Sequence, residues 1–387
     1  MDQIRRFLKQ NLKQNAMYVA LFIIIVFFQI RTDGILLQPQ NVNNLILQNS
    51  YVLILAMGMV FVIISGYVDL SVGSIVAIIG AIGGYLTVTK NVSTVPAILI
   101  LLVLGLAIGA FHGVFIAYMH IPPFIVTLAG MLIFRGLTMV ILGGRTLTPY
   151  PKLYENISNG FVGDFLKIEG INGTAIAATA VLVLIAIFRV FQKRVQQKKY
   201  DLEPPKLIWD LLKIVVMSLV IGFIGYSLAK YKGVPVVLIL IGLLFMIYNF
   251  VASKTVVGRR VYAMGGNEKA ARLSGINTNR MMFAVYTNMG FMAAIAGIVF
   301  SARLNAATPK AGNGFELDAI AACFIGGASA SGGVGTVMGA IIGALVMGVI
   351  NNGMSIMGIG IDWQQAIKGF VLLAAVAFDV LTKESNN

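Results

Sequence analysis

The sequence predicts an all-α, polytopic transmembrane helical bundle of about 10–12 membrane segments. Three observations predict it. Hydrophobic residues make up 58% of the 387 and charged residues only 11%, a balance found in helical membrane proteins and not in soluble domains of this length. The apolar residues fall in separate runs, several of them near the roughly 20 residues that cross a bilayer core. Basic residues gather in alternate connecting segments, as membrane orientation requires.

Taken in order, the apolar runs lie at about 17–30, 45–65, 71–88, 95–118, 124–142, 174–191, 211–230, 233–252, 283–303, 320–328, 335–352 and 364–381. Residues 1–16 carry Arg5, Arg6, Lys9 and Lys13, and no small-residue cleavage site precedes Arg31. The run at 17–30 therefore reads as a first span with a cytoplasmic N-terminus. The run at 320–328 is too short to cross and reads as a re-entrant segment or half-helix. The whole chain, 1–387, reads as one transmembrane domain with two polar cytoplasmic loops, at 192–210 and 253–281.

The formal net charge of +14 does not point to nucleic acid, because the basic residues sit mainly in loops between spans. Fifteen of the 29 lysines and arginines fall in the N-terminus, in 192–210 and in 253–281. Those three segments share one side when the spans alternate, and the bias makes that side the cytoplasm, where anionic lipid head groups meet basic residues. One cysteine, Cys323, excludes an internal disulfide, and two histidines, His112 and His120, are too few for a metal cluster. Both histidines read as span-end or packing residues. No G-x-x-x-x-G-K-[ST] occurs, so the chain has no phosphate loop of its own. No Ser/His/Asp grouping or paired carboxylates stand at a spacing that suggests a shared site, and the chain does not read as an enzyme.

A parallel internal repeat is legible. Val72-Gly-Ser-Ile-Val-Ala-Ile-Ile-Gly-Ala-Ile82 parallels Val334-Gly-Thr-Val-Met-Gly-Ala-Ile-Ile-Gly-Ala344. Each block follows a break containing glycine or serine, at 65–71 and 326–333. Small residues recur every fourth position, at Gly73, Ala77 and Ala81 and at Gly335, Gly339 and Gly343, a spacing that lets helices approach closely in lipid. Interrupted segments at matching places in two halves point to a transport path.

Polar residues within this apolar frame are the candidate path and helix-break residues. Asp69, with Ser71 and Gly73, sits in the first break, where a carboxylate either caps the following helix or lines the path. Arg135 lies too deep in its run to reach water easily, so it is expected to bond carbonyls or a carboxylate, Asp69 being one possible partner. Asn351, Asn352, Trp363 and Gln364 flank the last two spans on the presumed outer side. They either line a vestibule or, for Trp363, belong to an interfacial belt. Lys368 and Asp379 read as snorkelling residues, and 303–319 reads as an outer loop.

Gly258–Ile276 is a polar island between two long apolar runs. Asn267 is a good N-cap, Glu268 suits the first turn, Lys269–Leu273 favours helix and Gly275 is placed to end it. A short helix with Ala270 and Ala271 at its centre, held at the membrane face by a span on either side, suits contact with a soluble partner. An amphipathic helix resting on lipid is the alternative.

This stretch resembles the cytoplasmic coupling loop of bacterial sugar ABC-transporter permeases of the ribose, xylose and galactose class, the xylose-type and multiple-sugar permeases above all. The similarity continues through Leu304, Ala311-Gly-Asn313 and Asp318-Ala-Ile-Ala-Ala322. In the N-terminal half it covers Val60-Phe-Val-Ile-Ile-Ser65, Asp69-Leu-Ser-Val-Gly-Ser74 and Ile121-Pro-Pro-Phe-Ile-Val-Thr-Leu-Ala-Gly-Met131. It leaves out chiefly 143–172 and 192–210. The resemblance implies a homodimeric permease in the bacterial cytoplasmic membrane, a separate ATPase subunit that carries ATP-Mg, and an extracytoplasmic sugar-binding protein. It implies ATPase contact at Arg259, Arg260, Asn267, Glu268, Ala270, Ala271, Arg272, Ser274 and Gly275, with Gly265 and Gly266 permitting a tight turn into it. An ion-coupled secondary sugar transporter is the competing class. It would need several intramembrane acids, and the sequence offers only Asp69.

Overall fold

The computed structural model describes residues 12–201 and 207–384. Arg5, Arg6, Lys9 and Lys206, which entered the orientation argument, lie outside the described residues. The described chain is helical throughout, in the order α1 (Leu12–Arg31), α2 (Pro39–Ile64), α3 (Val72–Gly84) extended by a π-helical turn Tyr85–Thr89, α4 (Thr94–Ala117), α5 (Pro123–Leu142), α6 (Lys152–Asn159), α7 (Gly173–Lys199) and α8 (Leu207–Lys230). It continues with α9 (Val236–Lys254), α10 (Val256–Gly266), α11 (Glu268–Leu273), α12 (Thr278–Leu304), α13 (Phe315–Ile325), α14 (Val337–Ile356) and α15 (Ile361–Glu384). Nine of these, α2 to α5, α7 to α9, α12 and α14, are long and apolar enough to cross a membrane, α3 with its π turn.

Two helices form the centre. Every residue of α2 from Val52 to Ile64 is buried, and α12 is buried along most of its inner half. Around them the backbones approach through glycine. Gly105, Gly109 and Gly113 lie one above another on α4 and face α12; a Cβ on Gly109 would stand 2.5 Å from the Tyr286 carbonyl. The fourfold spacing carries this contact, because small residues bring helices together in lipid where burial alone gives no preference. Cys323 is buried in the same core, its thiol donating to the Ala56 carbonyl at 3.5 Å. By contrast α7 and α8 pack mainly on each other as an outer hairpin, tied by an Arg194–Asp210 ion pair at 2.6 Å.

The expected repeat is visible as α2–break–α3 and α13–break–α14. Its second half folds back tightly: a Cβ on Gly339 would stand 2.1 Å from the Gly326 carbonyl, and one on Gly343 1.8 Å from that of Ala322. The apolar run at 320–328 becomes α13, an eleven-residue half-helix. Its approach differs from the outer loop expected at 303–319. Ala307 pairs with Leu147 at the end of the bundle that holds 143–172, but the chain then descends until Gly312 lies against Gly73. The half-helix thus starts inside the bundle, with Glu316 and Asp318 in its first turn, where carboxylates suit the helix dipole.

Candidate functional site

The polar element at 258–276 forms from local capping. The Asn267 side chain accepts the Ala270 N–H at 3.0 Å, as its sequence position predicts, and opens α11. Glu268 and Arg272 pair one turn apart at 3.2 Å, and Arg272 also reaches the Thr278 hydroxyl at 3.0 Å. Gly275 takes φ +83° and ends the helix, and Asn277 caps α12 through the Arg280 N–H at 3.0 Å. Arg259, Arg260, Ala270, Arg272 and Ser274 are exposed, whereas Ala271 is buried and faces the bundle. The outward knob is Leu273, 90% exposed. Its signal in the sequence is a single leucine in an otherwise polar turn. Gly265 and Gly266 do not form the expected tight turn but complete α10 in helical conformation. Behind the element, Glu268 engages the Tyr67 phenol in the first break. Burial, and then that carboxylate, raise the Tyr67 pKa, so its hydroxyl remains a donor.

Deeper in the first break, Asp69 is buried and its carboxylate accepts both the Ser71 N–H at 2.8 Å and the Ser71 hydroxyl. Ser71 holds the cap position of α3, and Asp69 shapes the turn that leads to it. His112 Nδ1 lies 3.5 Å from the same hydroxyl. The structure thus brings together a Ser/His/Asp grouping that sequence spacing did not reveal, since His112 arrives from α4. The serine donates to the aspartate and all three residues are at most 1% exposed, so no nucleophile is activated or reachable.

A second set of polar contacts surrounds α13, reached by Arg135 from α5 and by Lys368 from α15. Arg135 donates to the Ala311 carbonyl at 2.7 Å, so it bonds a carbonyl and not Asp69. Glu316 lies in its electrostatic reach, one carboxylate oxygen buried without a hydrogen-bond partner among the described residues. Gly73 makes room for that group, since a Cβ there would stand 2.3 Å from Glu316 Oε2 and from the Gly312 carbonyl. Lys368 does not snorkel; it holds the buried Asp318 at 3.0 Å. Asp379 likewise turns inward and accepts the Ser329 hydroxyl at 2.9 Å. Glu316 and Asp318 are thus acids within the bundle beyond Asp69, missed because they follow a polar stretch that imitates a loop.

At the opposite end, Asn352 is buried and bonds Asn41 and Gln48, tying α14 to α2. Trp363 opens α15 and is 70% exposed, away from that cluster.

A bundle of spanning helices built round a glycine-broken core, with an amphipathic element fastened to one end, defines a multi-pass membrane transport subunit. A family profile described as "Branched-chain amino acid transport system / permease component" matches residues 41–376. The xylose transport system permease protein of Escherichia coli (strain K12) is 41% identical over 373 residues, 96% of this chain and 93% of the relative. That of Haemophilus influenzae is 39% identical over 374 residues, 97% and 98% respectively. The ribose import permease protein of Bacillus subtilis is 33% identical over 362 residues, 94% and 91%. No solved structure gives a significant match. The chain belongs to this family of transport-system permeases.

Proposed function

We propose that this chain is the membrane-spanning permease subunit of an ATP-binding-cassette importer that carries a monosaccharide, xylose or another pentose or hexose, across the bacterial cytoplasmic membrane. The observation that carries the reading is near full-length identity to xylose and ribose permeases, together with a capped, outward-facing α11 held against the first helix break. In this reading a separate ATPase subunit binds ATP-Mg and docks at α10–α11, with Leu273, Arg272 and Ala270 presented to it. An extracytoplasmic sugar-binding protein delivers substrate at the opposite end, and two permease copies within the lipid form the path. Alternating access follows: closure of the ATPases moves α11 and the bundle switches the side to which it opens. The concentration of basic residues in 192–210 and 253–281 supports placing the N-terminus and α11 in the cytoplasm.

Glu316 and Asp318 are the acids that an ion-coupled secondary transporter would use, so the test must separate the classes. Tagged chain is purified from its native membrane in mild detergent and the proteins retained with it are identified. An ATPase subunit retained by the native chain and lost with Glu268→Arg supports the importer. A chain that comes alone, and whose uptake collapses with a protonophore, rejects it.

A further inference from the structure

The coupling element is joined to the bundle through backbone. Tyr262, on α10, donates its hydroxyl to the Gly335 carbonyl at 2.8 Å, in the second helix break. The Gly333 N–H, in that same break, donates to the Ile64 carbonyl at 2.8 Å, where α2 enters the first break. Gly265 fills the space between them: a Cβ there would stand 1.6 Å from the Ile64 oxygen and 2.8 Å from the Gly333 nitrogen. On the other side, a Cβ on Gly332 would lie 2.7 Å from the Gly265 carbonyl and 2.9 Å from Gly66 Cα. Gly66, Gly332 and Gly333 all hold positive φ, at 88°, 79° and 73°. Three chain segments distant in sequence therefore meet with no side chain between them. Such a joint has no rotamers to take up a displacement, so it transmits one.

Its position gives the joint a consequence. A single residue, Asn267, separates α10 from α11. The two breaks that α10 touches are the corresponding points of the two repeat halves. Beside the joint lies a cavity of about 180 Å³ lined by Gly66, Tyr67, Pro123, Phe124, Phe324 and Ala330, which leaves both breaks room to shift. We propose that Tyr262, Gly265 and Gly333 are positioning residues that fasten the coupling element to both helix breaks at once, so that movement of α11 turns the two halves in step. This deepens the importer reading and rests on it.

The test uses the complete transporter, permease with its ATPase and sugar-binding protein, in proteoliposomes, with xylose, ribose and galactose as probe sugars. The readout is sugar moved per ATP hydrolysed. Gly333→Ala meets the Gly266 backbone at 2.9 Å in a conformation that disfavours a side chain, and Tyr262→Phe removes one hydroxyl. Gly136→Ala, where a Cβ meets nothing within 4 Å, is the control. The ratio falls about tenfold in Gly333→Ala and about fivefold in Tyr262→Phe while the ATPase remains attached and hydrolyses ATP. A native ratio in Tyr262→Phe, or in an assembled Gly333→Ala, overturns the proposal. If Gly333→Ala does not assemble, Tyr262→Phe decides alone. Failure of the native complex to retain an ATPase rejects the importer reading instead, a result read before any variant is made.

Discussion

Lys368 on α15 holds the carboxylate of Asp318, in the first turn of the half-helix, at 3.0 Å, and Asp318 is only 1% exposed. A charge so enclosed depends on its partner. Lys368→Met leaves it uncompensated, which costs about 3–5 kcal/mol in comparable buried pairs. The expected outcome is a lower midpoint in thermal unfolding of the detergent-solubilised protein, with much of the loss regained in Lys368→Met/Asp318→Asn. A double variant no better than the single one would show that the pair is not what holds the half-helix.

Leu273→Asp places a charge on the outward knob of α11 without disturbing the Asn267 cap or the buried Ala271. ATPase retention and uptake are expected to fall at least about tenfold while the amount of permease in the membrane is unchanged. Quantitative immunoblotting beside sugar uptake checks both halves of the expectation.

Gly275→Trp acts on the same element by a different cause. At φ +83° any side chain strains the turn that ends α11, by about 1–3 kcal/mol. Uptake is lost and insertion retained. Normal uptake by this variant or by Glu268→Arg would remove the docking assignment.

Asp69→Asn keeps one acceptor oxygen for the Ser71 N–H, whereas Asp69→Leu leaves that buried donor unmet, at about 1–3 kcal/mol. Transport is expected to fall modestly in the first and severely in the second. Vesicle uptake at matched protein levels measures it, and a fully active leucine variant would dismiss the turn as well as any path role.

Arg135→Gln removes a charged donor from the Ala311 carbonyl, a bond worth about 1.5–3 kcal/mol. The maximal uptake rate is expected to drop by about tenfold or more, measured as initial rates across sugar concentrations. An unchanged rate would make the arginine dispensable to the descending segment at 305–314.

Much of this was legible in the sequence because membrane helices announce themselves locally. Asn267, Gly275 and the two glycine-broken blocks act through neighbours in the chain, and each stands where its spacing implies. What escaped depends on contacts between distant segments. Nothing near Lys368 signals Asp318, and nothing near His112 signals Ser71. The 305–314 stretch has the composition of a surface loop but re-enters the bundle, because Gly73 and Gly312 permit a backbone approach that composition does not display. Gly265 was legible as a special residue for the wrong reason: its missing side chain serves packing, not a turn, whereas a Cβ on Gly266 would meet nothing within 4 Å among the described residues.

The buried Cys323 has a practical meaning for anyone working with this molecule. The chain carries one thiol, sealed in the core against the Ala56 carbonyl. A maleimide would therefore find the unaltered protein silent, and an engineered cysteine at Leu273 or at Trp363 would be its sole point of attachment. Those two positions sit at opposite ends of the bundle, so a reagent that cannot enter cells would read sidedness without first stripping the protein of its own sulfur.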